Sequence, residues 1–375
     1  MRQFVDSRLA DLPTPSLVVD LGALDRNIRR MAEFFAAGTC RLRPHFKAHK
    51  TPSIARRQLA AGSCAGLTCG TVGEAEVVGA FCDDILIANE VVGPGKCERV
   101  AALAQALHGR SGRRAWLTIA VDSREGTEAL AAAARGAGVE VGVLVDVNVG
   151  QNRCGVASAG EALALARHVM QAAGVVLRGV MGYEGHVQPV RDRSAREAAA
   201  REAMARLVGI AERLRAAGLP CDLVSGGGTG TYDISGRVEG VTEIQAGSYA
   251  LMDTGYGSLG MPFEQAFHVR GTVISRPARD RCVADCGHKS VTKDHALPLV
   301  RDAVGAVVTA LNDEHAVIAI PADSPLRVGD PIELVPSHID PTINLHDVFY
   351  VVDGDRVVDV WPIAARGYPE HRGRN

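Results

Sequence analysis

The stretch RLRPHFKAHK, residues 41–50, sets Arg43, His45 and Lys47 at alternate positions, with His49 two residues further on. In an extended chain alternate side chains share a face. A guanidinium, an imidazole and an amine would then stand in one row. Buried cations are costly unless they are paired or neutralised. A lysine is neutralised when its pKa is lowered and its amine condenses with an aldehyde. The alternative is a basic strand salt-bridged to acids. Among 41 basic residues only Lys47, Lys50, Lys96, Lys289 and Lys293 are lysines, so amine chemistry has few candidates. Lys50 falls off the alternating face.

Two further stretches carry chemistry. SGGGTGTYD, residues 225–233, combines Ser225, Gly227, Gly228 and Thr229 in a run rich in backbone N–H groups and hydroxyls. Glycine lets a backbone approach an anion closely, although such a run is also an ordinary turn. QAGSYALMD, residues 245–253, adds Gly247, Ser248 and Tyr249 for the same anion. An amine and a phosphate loop together suit pyridoxal 5'-phosphate, an aldehyde that carries a phosphate. In SHIDPTINLHD, His338 and Asp340 lie two apart and share a face if extended. Imidazole plus carboxylate suits a divalent ion such as Mn²⁺, Mg²⁺ or Zn²⁺. His346 and Asp347 compete for that role on the same loop.

The elements that must position these residues follow from texture. Eight β-rich runs, SLVVDL to CDLVSGGG, alternate with Ala/Leu/Arg-rich stretches of helical spacing such as AREAAAREAMARLVGIAERLRAAG. Eight β-then-α repeats favour an α/β fold, a closed (β/α)8 TIM barrel, over an open doubly wound sheet. RLRPHFK becomes its second strand, with Lys47 at the mouth. SGGGTGTYD follows the eighth and last strand, where this fold places phosphate. From about residue 263 long helices vanish and hairpins such as VFYVVDGDRVVDV take over. The expected domains are a barrel over 13–262 and a C-terminal β-domain over 263–375, with residues 1–12 joining either.

Composition excludes several classes. The 375 residues carry a formal net charge of −2 with 47 % hydrophobic residues, and no basic stripe points to nucleic acid. No uncharged apolar run reaches the ~20 residues of a membrane span, and the first residues lack a signal-peptide core. A soluble, cytoplasmic protein is expected. The nine cysteines include no C-x-x-C pair, which argues against a disulfide framework or a zinc knot.

In combination, TPSLVVDL, RPHFKAHK, VDVNVGQNRCGV, GYEGHVQ, SGGGTGTYD, TEIQAGSYALMD and LVPSHIDPTINLHD run in an order that resembles the D-threonine aldolases, over about residues 13–366. These are fold-type III pyridoxal phosphate enzymes, alanine racemase-like, grouped with D-serine dehydratases and 3-hydroxyaspartate aldolases. The resemblance implies a homodimer, with Lys47 as the lysine that condenses with the cofactor. It implies cofactor contacts from Arg153 and Tyr183, and divalent-metal ligation by His338 and Asp340. D-serine dehydratases carry His-x-Cys with zinc there. Asp340 points instead to the aldolase branch and a harder ion, Mn²⁺ or Mg²⁺. The implied reaction is retro-aldol cleavage of a D-3-hydroxy-amino acid to glycine and an aldehyde. His186 is the candidate base, because GYEGHVQP has Pro189 where a later histidine can stand in the family. The alternatives are dehydration and deamination of the same substrates, racemisation using Tyr350, and a non-catalytic cofactor carrier.

Overall fold

In the computed structural model, which describes residues 2–111 and 115–368, strand β1 (Ser16–Asp20) is not a member of the parallel ring. The ring comprises β2 (Arg41–Leu42), β3 (Leu67–Cys69), β4 (Asp84–Glu90), β5 (Trp116–Val121), β6 (Val141–Asp146), β7 (Val175–Gly182), β8 (Leu223–Gly226) and β9 (Glu243–Ile244). All ladders are parallel, from β3 through β9 to β2. Isolated bridges Leu42↔Cys64 and His45↔Thr68 close the circle. Leu86, Ala120, Leu144 and Met181, from β4 to β7, pack together in an interior layer, as a filled barrel requires. Several crossover helices begin where a short polar side chain takes an orphan N–H. Thr71, Ser123, Ser158 and Asp192 accept from Glu74, Gly126, Glu161 and Ala195.

The expected barrel is present, but its strands are not the ones expected. SLVVD, read as the first barrel strand, is central in the other sheet. There β1 pairs antiparallel with β10 (Phe267–Ala278) and parallel with β16 (Val348–Asp353). A short apolar run fits any strand covered on both faces, so its periodicity does not say which sheet takes it. The eighth ring strand is instead Glu243–Ile244, too short and too polar to stand out. The Gly-rich run therefore follows the seventh ring strand, and QAGS follows the eighth. Those two loops are where this architecture places phosphate.

The second sheet is mixed and runs β13 (Val307–Leu311), β14 (Ala316–Ala319), β11 (Arg281–Ala284), β10, β1, β16, β17 (Arg356–Pro362). β15 (Pro331–Val335) pairs with β10 and with β12 (Leu299–Arg301). Packing divides the chain into one unit of residues 31–47 and 55–247, and another of 2–30, 48–54 and 248–368. Among the described residues no helix is long and apolar enough to cross a membrane. All nine cysteines are free.

Candidate active site

The basic row resolves into three different roles. Pro44 has no N–H to extend a ladder, so β2 ends at Leu42, and Phe46–Ala48 is a single 3₁₀ turn. Arg43 is 2 % exposed and is held by acids, the alternative reading of the strand. Nε and Nη2 donate to Glu243 (2.9 and 2.6 Å), and Nη1 donates to Asp84 Oδ1 (2.8 Å). Burial opposes its charge, but Glu243 and Asp84 outweigh that and raise its pKa. The two histidines fold back on their own main chain: His45 Nδ1 accepts from Lys47 N (3.4 Å) and His49 Nδ1 from Thr51 N (3.2 Å). Both rings are thus engaged with their own main chain.

Lys47 remains. Its Nζ lies 5.9 Å from the centre of the Tyr183 ring and makes no ion pair with any described residue. Arg153 lies on the same ring at 5.7 Å. The other lysines differ: Lys50 donates to Asn344 (3.1 Å), Lys289 to Glu314 (2.9 Å), and Lys96 and Lys293 are exposed. Of the predicted residues, Lys47, Tyr183 and Arg153 are brought together. His186 is exposed and lies against Gly150, in the loop after β6. It makes no hydrogen bond or ion pair among the described residues.

The Gly-rich loop is wired to β7's exit. Glu184, fully buried, accepts from Gly227 N (3.1 Å), Thr231 Oγ1 (2.7 Å) and Ser235 Oγ (2.8 Å). Because Thr231 gives its proton to that carboxylate, it accepts from Gln188 Nε2 (2.9 Å) and Gly228 N (3.2 Å). Gln188 Oε1 in turn accepts from Gly230 N (2.8 Å). The glycines answer to protein atoms as well as to any ligand. A Cβ on Gly228 would stand 2.7 Å from Gln188 Oε1, and Gly227 has φ +71°. Ser225 accepts from Gln245 Nε2 (2.9 Å), and Thr229 is buried. The N–H groups of Gly227, Gly228 and Gly230 thus hold the loop's shape. Thr231→Val is expected to lower stability by about 1–3 kcal/mol, the cost of leaving buried partners unpaired. Thr231→Ser restores it, and urea midpoints check both.

Beside Tyr183 a cleft is lined by Asp146, Asn148, Gln151, Arg153 and Cys154. Burial, then the neighbouring Glu90, pushes the Asp146 carboxyl above the usual carboxylate range. In the second unit, Tyr249 is fully buried with its ring 5.6 Å from Phe263. Ser248 is buried in the turn Ser248–Ala250. His346 donates from Nε2 to the Ser290 carbonyl (2.7 Å), and Asp347 pairs with Arg366. The two competing metal candidates are therefore held by other partners.

His338 is the N-cap residue of the helix Ile339–Ile343, and Asp340 lies in its first turn. His338 Nε2 stands 3.5 Å from Asp340 Oδ2. Asp253 accepts from Ile339 N (3.2 Å) and Tyr256 N (2.8 Å). Burial, partly offset by those hydrogen bonds and by His338, pushes the Asp253 carboxyl up to about 6. For His338 burial disfavours the charge. Asp340, Asp294 and Asp253 overcome it and raise the imidazole to about 9. Three carboxylates around one imidazole form a cation-attracting group.

Residues 19–255 match the family model of the alanine racemase N-terminal domain. The chain belongs to that family. A serine dehydratase-type domain model matches residues 266–352. The D-threonine aldolase of Arthrobacter sp is 42 % identical over 366 residues, covering 96 % of this chain and 94 % of the relative. The crystal structure of D-threonine aldolase from Filomicrobium marinum superposes with TM-score 0.92 at 39 % identity, covering 97 % of this chain and 98 % of that one. D-threo-3-hydroxyaspartate dehydratase from Delftia sp. HT23 follows at TM-score 0.85 and 30 % identity, with 95 % and 98 % covered. The resemblance read from the motifs and the expected fold both hold.

Within this alanine racemase-family barrel, sequence reasoning missed Glu184, Gln188 and Thr231. Two of them lie inside GYEGHVQ at a spacing of four, a signal that was present but ambiguous. It also missed Asp146 and Asp294, whose neighbours are distant in sequence.

Proposed function

We propose that this chain is a carbon–carbon lyase that cleaves D-3-hydroxy-amino acids to glycine and an aldehyde, using pyridoxal 5'-phosphate and a divalent metal. The observation that carries the reading is the His338–Asp340 pair. Two donors each about 2.1 Å from one ion stand roughly 3.0–3.5 Å apart, for right-angled to tetrahedral arrangements. The 3.5 Å between Nε2 and Oδ2 fits that span. A carboxylate rather than a thiolate favours Mn²⁺ or Mg²⁺ over Zn²⁺. The greater identity to D-threonine aldolases than to the Delftia dehydratase supports carbon–carbon cleavage.

The residues also fit the organic cofactor. Lys47 offers an amine with no acid partner among the described residues, Tyr183 an aromatic face, and Arg153 a cation on that face. Ser225, Gly227, Gly228, Thr229, Gly247, Ser248 and Tyr249 are proposed for the phosphate. Gly227 and Gly228 would serve mainly by setting the loop's shape. Bound pyridoxal phosphate supplies the electron sink for the carbanion left when Cα–Cβ breaks. A metal ion supplies acidity to a hydroxyl. His186, exposed and without a hydrogen-bond partner among the described residues, is proposed to take that proton. Residues 13–262 as the cofactor-bearing part of the sequence, 263–375 as the metal-bearing part, a homodimer and a cytoplasmic place complete the proposal.

The match of residues 266–352 to a serine dehydratase-type domain favours a second reading, loss of water and ammonia from the same substrates. Protein supplied with pyridoxal phosphate and Mn²⁺ is expected to turn D-threonine into glycine and acetaldehyde. Exhaustive chelation is expected to abolish this, and Mn²⁺ to restore it. Ammonia and 2-oxobutanoate as the main products would replace the first reading by the second.

A further inference from the structure

We infer that Asp294 is a positioning residue for His338, fixing which ring nitrogen faces a metal ion; this rests on the metal reading above. Asp294 Oδ2 lies 2.7 Å from His338 Nδ1. A carboxylate only accepts, so Nδ1 carries the proton of that bond. The nitrogen left to face a metal, which would displace its proton, is Nε2, on the side of Asp340. Carboxylate, imidazole and metal then form the relay by which proteins orient a histidine ligand and raise its basicity.

Two features hold Asp294 in place. Ser337, the residue before His338, accepts from Ala296 N (3.1 Å) and hydrogen-bonds the Asp294 carbonyl. The loop carrying Asp294 is thereby pinned to the loop carrying the ligand. His295 stacks on the His338 ring, centroids 4.8 Å apart and planes within 6°. The carboxylate fixes the ring in its plane, and the second imidazole fixes the plane itself. Asp294, His295 and His338 also offer ligand atoms within 4.8 Å of one another, a grouping that could bind an ion directly. The 2.7 Å between Oδ2 and Nδ1 is shorter than the roughly 3.0–3.5 Å between two donors on one ion, which argues for the outer role. Asp294 is 49 % exposed in its side chain, so its removal is expected to leave the fold intact.

The test is Mn²⁺ binding to the full chain, by calorimetry and by the paramagnetic signal of free Mn²⁺. Asp294→Ala is expected to weaken binding about 10–100-fold, the range for an outer-shell partner. Asp294→Asn, which keeps an acceptor but loses the charge, should fall between. The melting temperature of the metal-free protein should not move. Nitrogen NMR of the protein loaded with diamagnetic Mg²⁺ should find His338 as the Nδ1–H tautomer in wild type and a mixture of tautomers in Asp294→Ala. If His338→Ala binds Mn²⁺ as well as wild type, the metal reading itself fails. If His338→Ala loses binding while Asp294→Ala keeps wild-type affinity, only the positioning role fails. If Asp294→Ala loses binding as completely as His338→Ala, Asp294 is a direct ligand and the inference is overturned.

Discussion

Lys47→Ala is expected to lose activity by at least about three orders of magnitude, the scale seen when a covalent catalytic group is removed. Lys47 Nζ has an aromatic face 5.9 Å away and no acid within reach among the described residues. Lys50 and Lys289 are tied to Asn344 and Glu314. Lys47→Arg should fail equally, since a guanidinium keeps its proton in proteins. Because Lys47 makes no ion pair with any described residue, its loss should change stability by less than about 1 kcal/mol. Activity and folding are thereby separated. The Lys47 variants should also lose the visible absorbance of tightly held pyridoxal phosphate after gel filtration, while Lys50→Ala keeps it. Full absorbance and turnover in Lys47→Ala would end the assignment of the amine.

Arg43→Ala is expected to cost about 3–5 kcal/mol of stability, because it strands a buried carboxylate without its partner. Glu243 is 3 % exposed and receives two of the guanidinium's hydrogen bonds. Asp84 is 35 % exposed and can rehydrate, so most of the cost falls on Glu243. Arg43→Met with Glu243→Met should recover much of the loss, since a buried ion pair is often neutral against apolar residues of similar volume. Urea midpoints check both, and a loss under 1 kcal/mol for Arg43→Ala would contradict the account. The effect reaches function through geometry. β2 contributes only two residues, and Arg43 links it to the first residues of β9 and β4. Lys47 lies four residues beyond that anchor. Catalytic loss in Arg43→Ala should therefore exceed the loss of folded protein.

The sequence by itself determined the class of fold, a short list of five amines, and the order of motifs. These are local properties: strand and helix periods, glycine runs and residue types need no knowledge of what lies opposite. Tertiary structure alone decided the rest. It sent SLVVD to the second sheet and gave the ring its eighth strand from Glu243 and Ile244, because a short apolar run pairs wherever both faces are covered. It decided that Arg43 is an internal tie, since its acids lie 41 and 200 residues away. It gave Glu184, Gln188 and Thr231 the task of shaping the Gly-rich loop, and set Asp294 against His338 across 44 residues. A hydrogen bond or ion pair is a property of two places on the chain, and spacing records only one of them.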